Sequence, residues 1–385
     1  MAGFTSLDDL INETSTNGKS YRQDWNKNML PTTVAVAGEW SCLARGGGNP
    51  AADTLYNTGT NLTFNPVSFT TSGATGIPHG GNVSPDYKII KNASAFSAAA
   101  TTMPSILMLV DLVGYYRVTT TTTITSQAMT NTLSAFSTFT ADAGTDICTH
   151  LNINLMPYTR VQLTTTTTLP AGLALATDYY VIKVTDLTCQ LATSYANAVA
   201  GTPIDITDAG TGTHTINTLL PRYTNGAGVN AFMWNTNATP MGAGVPNLSL
   251  PSYTNSAQAT GRATPTVLPV GKTAAANGLI LYSGTGAGKY GPFMPLAAGD
   301  SGIAKVDNVQ ISATYTSGEF SVGLCKPLIV MPMTTIGVAS EREFINQMPS
   351  MPRVYDGANL VWLIYHGAAT PVNSAFYGHL EFGWG

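Results

Sequence analysis

The sequence predicts a mainly β protein: a β-sandwich or jelly-roll-like main domain with short helices, carrying an inserted small β-domain. Three observations support this. Apolar residues alternate with polar ones at Val309, Ile311, Ala313 and Tyr315, and again at Phe320, Val322 and Leu324, the period of a half-buried strand. No apolar pattern of helical period runs beyond about three turns. Residues 133–216 form a compositional island bracketed by one triplet, Asn131-Thr132-Leu133 before it and Asn217-Thr218-Leu219 after it. The predicted organisation is thus a main domain in two parts, 1–132 and 217–385, with 133–216 spliced between them.

Taken in order, Ser6-Leu7-Asp8-Asp9 reads as a helix start, with a hydroxyl to cap free amides and acids in the first turn. It predicts a helix over about 7–13 that ends in the Thr-Asn-Gly stretch. From Thr32 short strands alternate with Gly, Pro and Asn, the punctuation of turns. Ile106 to Val110 is wholly apolar, as a strand covered on both faces would be. Thr119 to Thr123 predicts an extended linker, because β-branched side chains disfavour helix. Beyond the insertion come Ala231 to Trp234, Leu248 to Tyr253 and Leu279 to Tyr282. The alternating runs at 309–315 and 320–324 predict a hairpin closed by Thr316-Ser317-Gly318-Glu319. Ser340-Glu341-Arg342-Glu343 has the form of a capping box and predicts a short helix to Gln347, stopped by Pro349. The last strands are Leu360 to Tyr365 and Phe376 to Trp384, with Leu380, Phe382 and Trp384 on one face.

Composition narrows the function. The chain has 385 residues, 44% hydrophobic, so real cores can form, yet only 10% are charged, less than half the usual share of about 25%. Glycine (38) and proline (22) are abundant. A polar but uncharged surface suits extracellular adhesins and viral shells, since lysine and glutamate are costly to bury in an assembly. A net charge of −4 with no basic block argues against nucleic acid, which needs clustered Lys and Arg. The apolar runs are far below membrane length. Met1 to Leu10 carries Asp8 and Asp9 and lacks the features of a signal peptide, so folding in a cytosol is expected.

The motifs that suggest chemistry do not complete it. Gly299-Asp300-Ser301-Gly302 matches the surroundings of a protease nucleophile, but Ile303 stands where a further glycine is expected and no histidine context accompanies it. It reads as a turn. Gly286-Ala287-Gly288-Lys289-Tyr290-Gly291 satisfies a dinucleotide pattern on paper, yet Pro292-Phe293-Met294-Pro295 follows and cannot continue the helix that pattern must open. Cys42, Cys148, Cys189 and Cys325 form no C-x-x-C pair; Cys148 and Cys189 both fall in the insertion, and buried free thiols are the expected state. His79, His150, His214, His366 and His379 show no metal-like spacing, and His79 reads as a loop residue bonded to backbone. No catalytic residues, cofactor or metal are expected.

The insertion closely resembles a small β-domain of tailed-phage structural proteins. The likeness rests on the Thr-rich strand with Leu-Pro-Ala-Gly-Leu (Val161 to Leu173), Thr177 to Ile182, Gln190 to Ser194, and Ile206 to His214 with its Gly-Thr-Gly-Thr-His ending. The surrounding chain is similar to a family of tailed-phage virion proteins that usually lack that domain. The matching segments are His79 to Pro85, Leu107 to Tyr116, Leu220 to Thr224, Tyr290 to Phe293, Val338 to Glu343 and Met351 to Gly357. The resemblance implies a virion component assembled in the host cytoplasm, and no enzyme.

The expectation that follows is a capsid decoration or cement protein on the outside of the head, bound to the major capsid protein and to itself, as a trimer or other homo-oligomer. The alternatives are a tail, collar or baseplate protein, or a fibre that binds host glycans through the insertion. Arg353 and Tyr355, of types favoured at interface hot spots, and Trp384 are the candidate contacts. The insertion is expected to project as an accessory knob that the main domain can fold without.

Overall fold

The structure is a computed structural model that describes residues 3–30, 35–99, 102–265, 270–283, 291–347 and 350–385. The glycine loop 286–290 therefore lies outside the described residues. Two apolar runs explain the layering. Ile106 to Val110 and Leu360 to Tyr365 belong to strands Ser105–Val118 and Leu360–His366, which pair with each other. Strands apolar on both faces belong between two layers. Their sheet runs in the order Asn230–Asn235, Phe320–Met333, Ser105–Val118, Leu360–His366, Glu39–Cys42.

One face of this central sheet, with Leu107, Leu109, Trp362 and Ile364, packs on Trp25, Ile90, Leu380 and Phe382. Those residues belong to a second sheet, ordered Ser340–Glu343, Lys88–Phe96, Ala375–Trp384, Ser20–Asn28, Gly48–Asn49. On the other face Tyr116, Phe232, Trp234 and Val322 share a core with Leu250, Val306 and Ile311. These last come from the three-stranded sheet Leu248–Asn255, Ile303–Ile311 and Gln127–Ala128. The protein is mainly β, a sandwich of packed sheets. Each large apolar side chain buried between layers contributes about 1.5–3 kcal/mol.

Residues 134–218 fold as a closed six-stranded barrel in the order Arg160–Thr165, Tyr179–Lys183, Thr188–Ala192, Ile147–His150, Ser134–Asp142, His214–Thr218. It has its own core of Phe139, Val161, Leu163, Tyr179, Val181, Leu191 and Ile216. Ser134 pairs with Thr218, so the chain enters and leaves on neighbouring strands. Closure explains the signature residues. Asp208 accepts the amides of Ala171 and Gly210, both within 2.9 Å, tying the Leu-Pro-Ala-Gly turn to the Ala-Gly-Thr-Gly segment. Gly212 sits at φ +89°, where a Cβ would meet the Thr166 and Thr167 hydroxyls at 2.5 and 2.7 Å; only glycine fits. Cys148 and Cys189 face each other across paired strands as free, buried thiols.

Several local expectations are corrected. The 309–324 hairpin does not form: Ile303–Ile311 pairs with Leu248–Asn255, whereas Phe320–Met333 pairs with Asn230–Asn235 and Ser105–Val118. The turn between them carries the chain from one layer to another, so both runs keep their alternation with different partners. The helix at 340–347 is also absent. Ser340–Glu343 is an edge strand on Lys88–Phe96, and Glu343 accepts the amides of Ile345, Asn346 and Gln347 at 2.8 Å each. The acid that resembles a helix cap closes a turn instead. Thr119 to Thr123 is a turn as well, gathered by Gln127, whose amide donates to the Thr120 and Thr123 carbonyls. The first helix is α over Leu7–Ile11, capped by Ser6 on the Asp9 amide, and widens to π turns over Asn12–Thr16.

The segment leaving the barrel anchors it. Arg222 is buried in the body and Tyr223 packs edge-on to Tyr355 at 4.7 Å. Thr224 Oγ1 receives the Met156 amide at 3.0 Å and meets Thr159 Oγ1 at 2.6 Å, while Asn225 donates to the Pro157 carbonyl. Deleting 133–216 and rejoining the Asn-Thr-Leu triplets removes those partners but none of the three sheets. The shortened chain is expected to fold cooperatively at a lower midpoint; a molten product by near-UV circular dichroism would show that the barrel is required.

Candidate interaction surfaces

The three sequence candidates are all engaged within the chain. Arg353, in the short strand Arg353–Val354, lays its guanidinium 3.6 Å from the Tyr87 ring centre and 4.2 Å from that of Tyr355. Such cation–π stacking holds the side chain in one orientation. Tyr355 is 9% exposed and belongs to the core. Trp384 is half-buried at the end of the last strand, paired with Lys88, whose ammonium lies 5.7 Å from its ring centre.

This cluster also receives the barrel. Burial, with a hydrogen bond to Asp186 of the barrel, pushes the Tyr87 hydroxyl up to about 12. Burial would raise the Asp186 carboxyl, but hydrogen bonds from Tyr87 and Lys183 outweigh it and hold it below its ordinary value. A groove of about 520 Å³ runs beside this contact, lined by Met156, Tyr223, Lys326, Arg353 and Tyr355. Arg353 and Tyr355 therefore act where two parts of one chain meet.

The histidines are held by local partners: His379 Nδ1 lies 2.7 Å from Ser94 Oγ, with Glu381 3.9 Å from its Nε2. His79 lies in a loop, as expected, but is fully buried, with its Nδ1 3.0 Å from Lys88 Nζ. Burial, then the Lys88 charge, pushes it down to about 4, and burial pushes Lys88 down to about 8. His366 bonds Thr370 and Ser41, and His214 bonds Thr165 and the Ala209 carbonyl. In the 299–302 turn, Ser301 Oγ meets Ser256 Oγ, and Asp300 is held by Arg262, Tyr253 and Asn255. Among the described residues no group of three or more His, Cys, Asp and Glu could hold a metal ion, and no helix is long and apolar enough to cross a membrane.

A different surface presents open apolar side chains. At one end of the central sheet, Val330 pairs with Met108, and Pro332 with Ile106. Ile106 pairs in turn with Tyr365, whose ring lies 5.5 Å from that of Trp40. All six point away from Leu107, Ile329 and Met331, the neighbours that fill the core beneath. Val330 is 48% exposed, Pro332 is exposed, and Trp40, Ile106, Met108 and Tyr365 are half-buried. The sequence does carry the signal: a strand apolar on both faces needs two covers, and among the described residues Val330 and Pro332 stay exposed while Trp40 and Met108 pack against the neighbouring core.

The fold and these surfaces define a layered β-sandwich with an inserted closed barrel. No family model matches the chain, and no curated protein matches it. Among solved structures the chain is similar to the crystal structure of infectious bursal disease virus VP2 subviral particle. Identity is 6% over 97% of this chain and 86% of that one, with a TM-score of 0.15, too low to support any inference.

Proposed function

We propose that this protein is a structural component of a tailed-phage virion, acting as a decoration protein on the outside of the head. The observation that carries the reading is the row of exposed Val330 and Pro332 with half-buried Ile106 and Tyr365, bordered by Trp40 and Met108, on a chain otherwise poor in charge. Contiguous apolar surface of this kind marks protein association, and low charge keeps the desolvation cost of a broad contact small. The patch attaches the protein to the major capsid protein and to further copies of itself. A partner that binds only the assembled shell stabilises it by RT ln(1 + [L]/Kd), about 4 kcal/mol per site at a thousandfold excess over Kd.

Two measurements test this. Quantitative mass spectrometry of particles is expected to find several hundred copies on the order of a capsid lattice; a dozen or fewer would place the protein in the tail. Val330→Glu, on an exposed position, should leave the thermal midpoint unchanged and reduce incorporation by about tenfold or more, since a charge buried in an interface costs more than 1.4 kcal/mol. Particles stripped of the protein should release DNA at lower temperature. Unchanged release, or full incorporation of the Glu variant, would overturn the proposal.

A further inference from the structure

We infer that the outer face of the barrel is a binding site for neutral oligosaccharides, a role beyond the attachment proposed above and independent of it. Tyr158, Tyr180 and Tyr195 form a half-exposed aromatic cluster. Tyr195 lies 5.7 Å from Tyr158 and 6.4 Å from Tyr180, ring centre to ring centre. Tyr180 is paired across the barrel with Arg160, so both point outward beside each other. Arg160 Nε makes an ion pair with Asp178 at 3.1 Å, and Gln162 donates to the same carboxylate at 2.8 Å. Arg160 also lines an open groove of about 650 Å³, with Gln162, Thr164, Leu175, Asn217 and the entering segment from Asn131 to Leu133. Leu175 is 58% exposed at its rim.

The chemistry selects the ligand. Tyrosine rings offer an electron-rich face to the apolar C–H face of a pyranose, while guanidinium, carboxylate, amide and hydroxyl groups are the partners that sugar hydroxyls use. Arg160 and Asp178 cancel each other's charge, so the face does not favour an anionic polymer, and nucleic acid would lack the unpaired cations it needs. The barrel is closed, so it leaves no strand edge for an extended peptide to extend. An open groove whose Arg160 is strand-paired with Tyr180 of the aromatic cluster fits a chain of sugar rings better than a compact metabolite, which would be enclosed.

The test is calorimetric titration of the full chain with maltohexaose, cellohexaose and chitohexaose, and with polygalacturonate as an anionic comparison. Saturable binding of at least one neutral oligomer is expected. Tyr180→Ala and Tyr195→Ala should each weaken it about tenfold, the scale of one lost aromatic contact. Tyr195→Phe, which keeps the stacking face, should stay within about twofold. Gln162→Ala, an outward position outside the barrel core, should weaken binding even if a tyrosine variant unfolds. No saturable binding of any neutral oligomer up to about 10 mM, a ceiling near the weakest affinities of interest, would overturn the inference. So would tighter binding of polygalacturonate, or alanine variants that are folded and bind like the parent.

Discussion

Replacing Arg222 with methionine is expected to destabilise the protein by about 3–5 kcal/mol, the cost of stranding one buried charge. Arg222 and Asp111 are 1% and 0% exposed. The guanidinium donates to both carboxylate oxygens, at 2.8 and 2.7 Å, and to the carbonyls of Val67 and Leu112 at 3.0 and 3.1 Å. The Asn359 amide completes the shell of Asp111 at 3.0 Å. Without the arginine, the carboxylate stays buried with no counter-charge. Asp111→Asn should cost a similar amount, because it leaves the guanidinium buried with a neutral partner. The double variant Arg222→Met, Asp111→Leu should recover most of the loss, since apolar replacement of a whole buried pair is often neutral. Denaturant midpoints measure all three. If the double variant is as unstable as the sum of the single ones, the pair is not acting as a unit.

The second large effect is acid sensitivity. Burial pushes His79 and His150 down to about 4 and His366 down to about 3, from an ordinary 6.5. The unfolded chain therefore binds protons at these sites where the folded one does not. The stability they contribute is fully present above pH 6.5 and is lost as the pH falls toward 4. Three such groups give a slope of about 3–4 kcal/mol per pH unit near pH 5.5, above the range where carboxylates titrate. The surroundings reinforce it: protonated His79 would face Lys88, and His150 would face Lys183. His366 is governed by burial alone. Denaturation curves between pH 7 and 5 check the slope, and His366→Gln should remove about a third of it. A slope below that of one proton would refute the assignment.

The sequence is most informative where a local rule has one solution. The Gly-Thr-Gly-Thr-His ending and the Leu-Pro-Ala-Gly turn are needed wherever the barrel closes, because Gly212 tolerates no side chain and Asp208 must bridge the two segments. The run Leu109-Val110-Asp111-Leu112-Val113 likewise signals that an acid inside an apolar strand must find a buried partner. It cannot say that the partner is Arg222, 111 residues away. The candidate contacts follow the same division. Arg353 and Tyr355 have the side chains of an interface, but Tyr87, Tyr223 and Asp186 reach them from remote parts of the chain.

Residue order alone thus determines that the chain is β-rich, that its strands alternate, and that a separate sheet-forming segment lies near 133–216. These depend on side-chain period and on turn chemistry, which act over a few residues. Tertiary structure alone decides which strands pair, as at 309–324, where each run finds its neighbours in a different layer. It also decides which apolar face is left open, because exposure depends on where the covering layer ends. Pairing and coverage are set by contacts between distant segments, whose energies no local pattern contains.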